Sequence, residues 1–325
     1  MYRKISAIVV PTLIAVAIIG YMLYSVKDNL LIALQNMIPE YLVPAVAICL
    51  AAWLLRGWRY HTILEGLNYT VSVTVSTACI FVSQTVNIIV PARLGDFVRV
   101  FILKHEYSTT YSEGISSLVV ERIFDIFTVA LLGAVSIFFV INAPVWFTTI
   151  IIVPLVAGVL FFGFLLFIGK FSSENKYIVI ILNMLHEIRR ASLTFRSIII
   201  LGASSIVIWI LDILVCYAVV LMFEQEIPFA IVVLAVVIGN LVKAIPLTPG
   251  GIGTYEAALA LTFGLAGIDP AVALLIAIID HLIKNLVTAA GGLISIYYFG
   301  DWVIPSIKEA FNAKFDGGKS PDDSS

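Results

Sequence analysis

The segment that most limits what this chain can fold into is Pro246-Leu247-Thr248-Pro249-Gly250-Gly251-Ile252-Gly253-Thr254-Tyr255-Glu256, which sets helix breakers and a carboxylate between two strongly apolar runs. No stable membrane helix passes through it. Backbone groups freed inside a bilayer, with no water to rebond them, cost several kcal/mol each. A break of this kind survives only where other protein groups or a water-filled cavity satisfy it, so it points to a site.

Composition places the chain in a membrane. The chain has 325 residues, 61% of them hydrophobic and 12% charged, with a mean hydropathy of +1.07, far from an ordinary soluble domain. Apolar windows fall at 5–25, 41–56, 72–90, 115–142, 145–169, 198–223, 228–247, 255–268 and 270–299. Several reach the roughly 20 residues that a spanning helix needs, and others are too short or too broken. Arg3 and Lys4 precede the first window, but its apolar core is long and has no convincing cleavage site, so it reads as a retained helix. Residues 1–300 read as one integral membrane domain, and 301–325 as a polar, partly disordered tail. Cys49, Cys79 and Cys216 have no paired spacing and look like small core residues. A net charge of −2 gives no hint of nucleic acid.

Basic residues orient the threading, because cytoplasmic loops collect Lys and Arg. Arg3/Lys4, Arg56/Arg59, the 93–104 segment and the 170–196 segment all favour one side. They share it only if 72–90 dips in, breaks at Pro91 and returns through 94–104. The expected architecture is therefore an all-α polytopic bundle with two re-entrant helix hairpins, about 72–104 and 228–268, approaching from opposite sides. Both termini are expected to be cytoplasmic. The shared Pro-to-Gly spacing of Pro91–Gly95 and Pro246–Gly250, each followed by a helix with buried charge, suggests an inverted repeat of the transporter kind.

Ionisable residues in spanning segments are expensive, roughly 2.5–3.5 kcal/mol each at the centre, and usually line a cavity or pair with one another. Glu121 and Asp125 lie one turn apart on a helix face. Asp280 and Lys284 have the same spacing, and a structural ion pair competes with a functional role there. Arg93, Asp96, Arg99 and Lys104 follow the first break. Guanidinium groups bind phosphate in a two-pronged geometry, which makes Arg93 and Arg99 the candidates for a headgroup phosphate. Snorkelling to the interface is the bland alternative, preferred for Lys104. In the second break, Gly250, Gly251 and Gly253 allow close backbone approach, and a helix starting near Thr254, which could cap it, would aim amide donors at an anion. Glu256 could take a proton or bond a substrate amine, or merely pair with Lys243. Asp212 is a lone carboxylate with no assigned partner. No metal spacing, Walker lysine or nucleophile elbow is present, so no cofactor is expected.

At Pro91–Arg99, at Glu121-Arg122-Ile123-Phe124-Asp125 and at Thr248–Glu256, the chain resembles the flippase-like membrane domain of lysylphosphatidylglycerol synthases. The resemblance runs over nearly the whole chain, and the three motifs are more specific together than singly. It implies movement between leaflets of an anionic lipid, or one whose headgroup carries an amino acid or sugar. The aminoacyl-transferase domain of the synthases is lacking, which puts that branch's substrate in doubt. The expected substrate-contacting set is Arg93, Asp96, Arg99, Glu121, Arg122, Asp125, Thr248, Gly250, Gly251, Gly253, Thr254, Glu256, Asp280 and Lys284, with a membrane lipid as ligand. The alternatives are a membrane-embedded enzyme on a lipid phosphate, with Glu121 and Asp125 as acid and base, or a non-catalytic partner of a separate lipid-modifying enzyme or glycosyltransferase.

Overall fold

The computed structural model describes residues 2–90, 93–140, 144–245 and 247–305, with side chains from residue 9 onward. The expected breaks at Pro91 and Pro246 themselves lie outside the described residues, as does the tail beyond 305. The described chain is helical, with no strand among its residues. In order the helices are α1 (Tyr2–Ser25), α2 (Lys27–Gln35), α3 (Leu42–Gly66), α4 (Val73–Ile89), α5 (Gly95–Tyr107), α6 (Tyr111–Ile137), α7 (Val145–Phe167), α8 (Lys176–Ser192), α9 (Phe195–Leu221), α10 (Phe229–Ala244), α11 (Thr254–Gly264) and α12 (Pro270–Phe299).

Local chemistry sets several of these starts. Ser72 accepts a hydrogen bond from the Val75 amide to cap α4, and Thr110 with Glu113 forms a reciprocal capping box on α6. Asp269 caps α12 ahead of Pro270, whose missing N–H belongs to a donor that would be orphaned anyway.

Among the described residues, α3 with its preceding turn, α7, α9 and α12 are long and apolar enough to cross a bilayer, and α1–α2, bent by 80°, would make a fifth span if taken as one. Helix α6 has 27 residues, about 40 Å at 1.5 Å per residue, so it has the length. It departs from an ordinary span because Glu121, Arg122 and Asp125 occupy its middle. The chain is thus an all-α polytopic membrane bundle.

The pairs α4/α5 and α10/α11 differ from the rest. At 17, 13, 16 and 11 residues, these helices rise only about 17–26 Å each, short of a hydrocarbon layer about 30 Å thick. Each pair doubles back on itself. Gly95 at the start of α5 sits against the Ser83 carbonyl and the Asn87 amide near the end of α4, while Tyr107 at the far end bonds to the Ser72 backbone. In the second pair Gly239 lies under Tyr255 and Leu259. One apolar core gathers α9–α12 around the second hairpin, and another gathers α3–α6 and α8 around the first. The packing is reciprocal: α6 contacts α5 and α10, and α12 contacts α11 and α4.

Candidate functional site

Where the hairpin tips meet, between the two cores, is a cavity of about 390 Å³. Close approach of the tips depends on glycine. A Cβ on Gly250 (φ +60°) would lie 3.3 Å from the Ile88 Cα of α4, and one on Gly251 (φ +80°) would collide with the aliphatic stem of Lys243. Gly251 therefore makes room for the lysine that closes the second tip. Opposite it, Arg93 is held at φ +54°, a left-handed conformation that costs a non-glycine residue on the order of 1 kcal/mol. Its guanidinium donates to the Lys243 carbonyl at 3.4 Å, so it ties the tips together.

Of the residues singled out from sequence, Arg93, Asp96, Glu121, Arg122, Asp125, Thr248, Gly250, Gly251 and Lys284 line this cavity. The others lie behind it. Arg99, expected at the phosphate, is fully buried and spent on Glu121, with Asp96 at 3.7 Å as a second neighbour. Its side chain faces the α5/α6 interface, because burial without a carboxylate would strand its charge. Gly253, not Thr254, is the cap residue of α11, and the Thr254 hydroxyl instead donates to the Gly251 carbonyl at 3.0 Å. The Gly253 amide is consumed by the chain's own Glu256 at 2.7 Å, so it is not available to an anion.

The anticipated Glu256–Lys243 pair is replaced by a chain of three. His281 Nδ1 meets Glu256 at 2.6 Å, and Lys243 Nζ meets His281 Nε2 at 3.0 Å. Asp280 binds Lys284 at 2.8 Å and accepts from the Tyr255 hydroxyl at 2.7 Å. This is the structural pairing that the i,i+4 spacing allowed, although Lys284 also faces the cavity.

Helix α3 supplies the residues that sequence reading missed. Arg56 and Arg59, which by charge alone mark a cytoplasmic loop, sit on the inner face of α3. Arg56 meets Asp212 at 2.5 Å, which gives that carboxylate its partner. Arg59 is 1% exposed and donates to Asp125 at 2.7 Å and to Ser205 at 2.7 Å, with Glu121 at 3.5 Å. Trp53 and Trp209 flank Arg56, and the Trp209 indole donates to Asp125 at 3.1 Å. Asp96 is the hub of the first tip. It takes both oxygens to Arg122 at 3.0 and 2.8 Å and accepts from Asn87 at 2.9 Å, which ties α4, α5 and α6 together.

Pairing leaves a remainder. The polar centre holds seven cations (Arg56, Arg59, Arg93, Arg99, Arg122, Lys243 and Lys284) against six carboxylates (Asp96, Glu121, Asp125, Asp212, Glu256 and Asp280). Among the described residues, Arg93 and Lys243 have no carboxylate within 4.0 Å, and both line the cavity. Lys243 reaches Glu256 only through His281. No group of His, Cys, Asp and Glu among the described residues is arranged to hold a metal ion.

Comparison with known proteins gives this geometry a context. Residues 8–292 match the family described as the lysylphosphatidylglycerol synthase TM region. The glycosyltransferase AglD of Haloferax volcanii is 29% identical over 90% of this chain, which spans 54% of AglD's length. The UPF0104 membrane protein MJ1078 of Methanocaldococcus jannaschii is 28% identical over 65% of this chain and 93% of its own length. A UPF0104 membrane protein of Methanothermobacter thermautotrophicus is 24% identical over 83% and 89% of the two chains. No solved structure matches.

Proposed function

Because the chain belongs to the lysylphosphatidylglycerol synthase TM-region family, we propose that it is a flippase-like membrane protein that passes the phosphate-bearing headgroup of an anionic lipid through the cavity between its hairpin tips. The observation that carries this reading is the pair of cavity cations, Arg93 and Lys243, left without a carboxylate partner. An unpaired charge at membrane depth is costly, and a lipid phosphate is the abundant counter-ion that a membrane offers. At about 4 Å and an effective dielectric of about 20, each cation attracts an anion by about 4 kcal/mol before desolvation is subtracted.

In this reading the short pairs α4/α5 and α10/α11 are re-entrant hairpins entering from opposite faces, related as an inverted repeat, with both chain termini on the cytoplasmic side of the cell membrane. The cavity lies at the low end of the roughly 300–1,000 Å³ of small-molecule sites, which suits a headgroup while the acyl chains remain in lipid. An acid–base role for Glu121 and Asp125 is disfavoured because each is bound to a buried arginine.

The test is reconstitution of the full chain into liposomes with acyl-labelled phosphatidylglycerol, with dithionite quenching as the readout of leaflet exchange. Wild type should exchange the lipid above the protein-free rate, and Arg93→Gln and Lys243→Gln should each slow exchange at least 10-fold, about 1.4 kcal/mol. Exchange at the protein-free rate, or variants as fast as wild type, would refute it. The similarity to AglD supports a second reading, in which the chain is the membrane partner of a separate glycosyltransferase. That reading gains if exchange is absent and membranes lacking the chain lose a glycosyl transfer that the purified protein restores.

A further inference from the structure

Once the ion pairs around the cavity are assigned, the groups left over describe its occupant. Each carboxylate on the wall is already committed: Asp96 to Arg122 at 2.8 Å, Glu121 to Arg99, Asp125 to Arg59 at 2.7 Å and Asp212 to Arg56 at 2.5 Å. The two acids behind the wall are committed as well, Glu256 to His281 at 2.6 Å and Asp280 to Lys284 at 2.8 Å. A headgroup bearing an ammonium would find no uncommitted carboxylate among the described residues, and it would face the repulsion of Arg93 and Lys243.

The remaining polar groups on the wall are neutral: the Thr248 and Thr288 hydroxyls, engaged by Thr254 and the Lys284 carbonyl, and the side-chain amides. Asn87 is 8% exposed and turns away from the cavity: its Nδ2 is held by Asp96 at 2.9 Å, and its buried Oδ1 faces Gly95 in the α4/α5 packing. Asn240 turns its Nδ2 to the Val236 carbonyl at 2.8 Å, which leaves its own carbonyl oxygen over. Asn285 lines the cavity, with neither end of its amide engaged by another described residue. An acceptor left without a donor is costly. A hydroxyl can donate to the Asn240 carbonyl oxygen and accept from the Asn285 amide N–H, whereas an ammonium only donates.

We infer that the cavity selects phosphate esters whose headgroup carries hydroxyls and no ammonium, a polyol or sugar phosphate, and rejects aminoacylated or ethanolamine headgroups. This rests on the lipid-phosphate reading above and narrows it. The division of labour is that Arg93 and Lys243 hold the phosphate while Asn240 and Asn285 read the group beyond it. The chain thereby parts from the lysyl-bearing lipid for which its family is named.

The test compares headgroups that differ in this respect. Binding of dihexanoyl phosphatidylglycerol, phosphatidylinositol and phosphatidylethanolamine to the detergent-solubilised full chain is measured by calorimetry, with glycerol 3-phosphate as the chain-free arm, beside liposome exchange of the acyl-labelled lipids. The glycerol and inositol lipids should bind at least 10-fold more tightly than the ethanolamine lipid. Asn285→Asp, which adds an uncommitted carboxylate on a partly exposed helix face, should shrink that ratio at least 3-fold. Ethanolamine lipid bound as tightly as phosphatidylglycerol, or a ratio unmoved by Asn285→Asp, overturns the inference. Selective binding without exchange supports the inference while the transport reading fails. Glycerol 3-phosphate bound as tightly as phosphatidylglycerol supports the hydroxyl preference and reassigns the ligand from lipid to soluble phosphate.

Discussion

Replacing Arg59 with methionine isolates the interaction on which the polar centre depends. The guanidinium is 1% exposed and holds Asp125 at 2.7 Å, Ser205 at 2.7 Å and Glu121 at 3.5 Å, so it joins α3, α6 and α9. Methionine keeps the apolar stem and removes the charge. Glu121 retains Arg99, but Asp125 keeps only the Trp209 indole at 3.1 Å and becomes a buried carboxylate without its cation. Breaking a buried pair from one side costs about 3–5 kcal/mol, whereas removing both charges together is often nearly neutral. Arg59→Met should therefore lower unfolding stability by about 3–5 kcal/mol, and Asp125→Asn in the same chain should restore most of it. The assay is a double-mutant cycle on unfolding free energies in mixed micelles, with an expected coupling of about 2–4 kcal/mol. Additive single effects, or Arg59→Met within about 0.5 kcal/mol of wild type, would refute the reasoning, because Arg59 would then not be the counter-charge of Asp125.

Two further outcomes follow from the hairpins. Gly95→Ala drives a methyl group into the Ser83 carbonyl and the Asn87 amide, backbone atoms that cannot turn aside, so thermal stability should fall by at least the roughly 1–3 kcal/mol typical of overpacking; an unchanged melting curve would contradict that packing. Gly250→Ala puts a Cβ at φ +60° and 3.3 Å from the Ile88 Cα, so it should push the tips apart and slow lipid exchange; exchange at the wild-type rate would contradict the close approach of the tips.

The parts of this molecule legible in its sequence are those governed by local chemistry. Prolines and glycines between apolar runs mark both helix breaks, and the i,i+4 spacing of Asp280 and Lys284 foretells their contact because one helix carries both. The arginines show the limit. Arg56 and Arg59 end an apolar window, where the positive-inside rule reads them as loop residues. Their carboxylate partners, Asp212 and Asp125, are 156 and 66 residues away, and only tertiary packing brings them into reach. Arg99, which follows the first break, reads as a phosphate ligand for the same reason, since nothing local distinguishes a guanidinium facing a cavity from one facing Glu121. In sequence Lys243 is visible only as a neighbour for Glu256. Its exposure to the cavity depends on His281 standing between them and on Gly251 lacking a side chain.

Whether the hairpin tips present two uncommitted cations to one lipid phosphate would be visible in an experimental structure of the full chain in phosphatidylglycerol nanodiscs. The expected density is a headgroup phosphate in the cavity, within charge-assisted hydrogen-bond distance, about 2.7–2.9 Å, of both the Arg93 guanidinium and the Lys243 ammonium. Tips separated from each other, or ordered lipid confined to the outer helix faces while Arg93 and Lys243 turn to carboxylates of the chain, would contradict it.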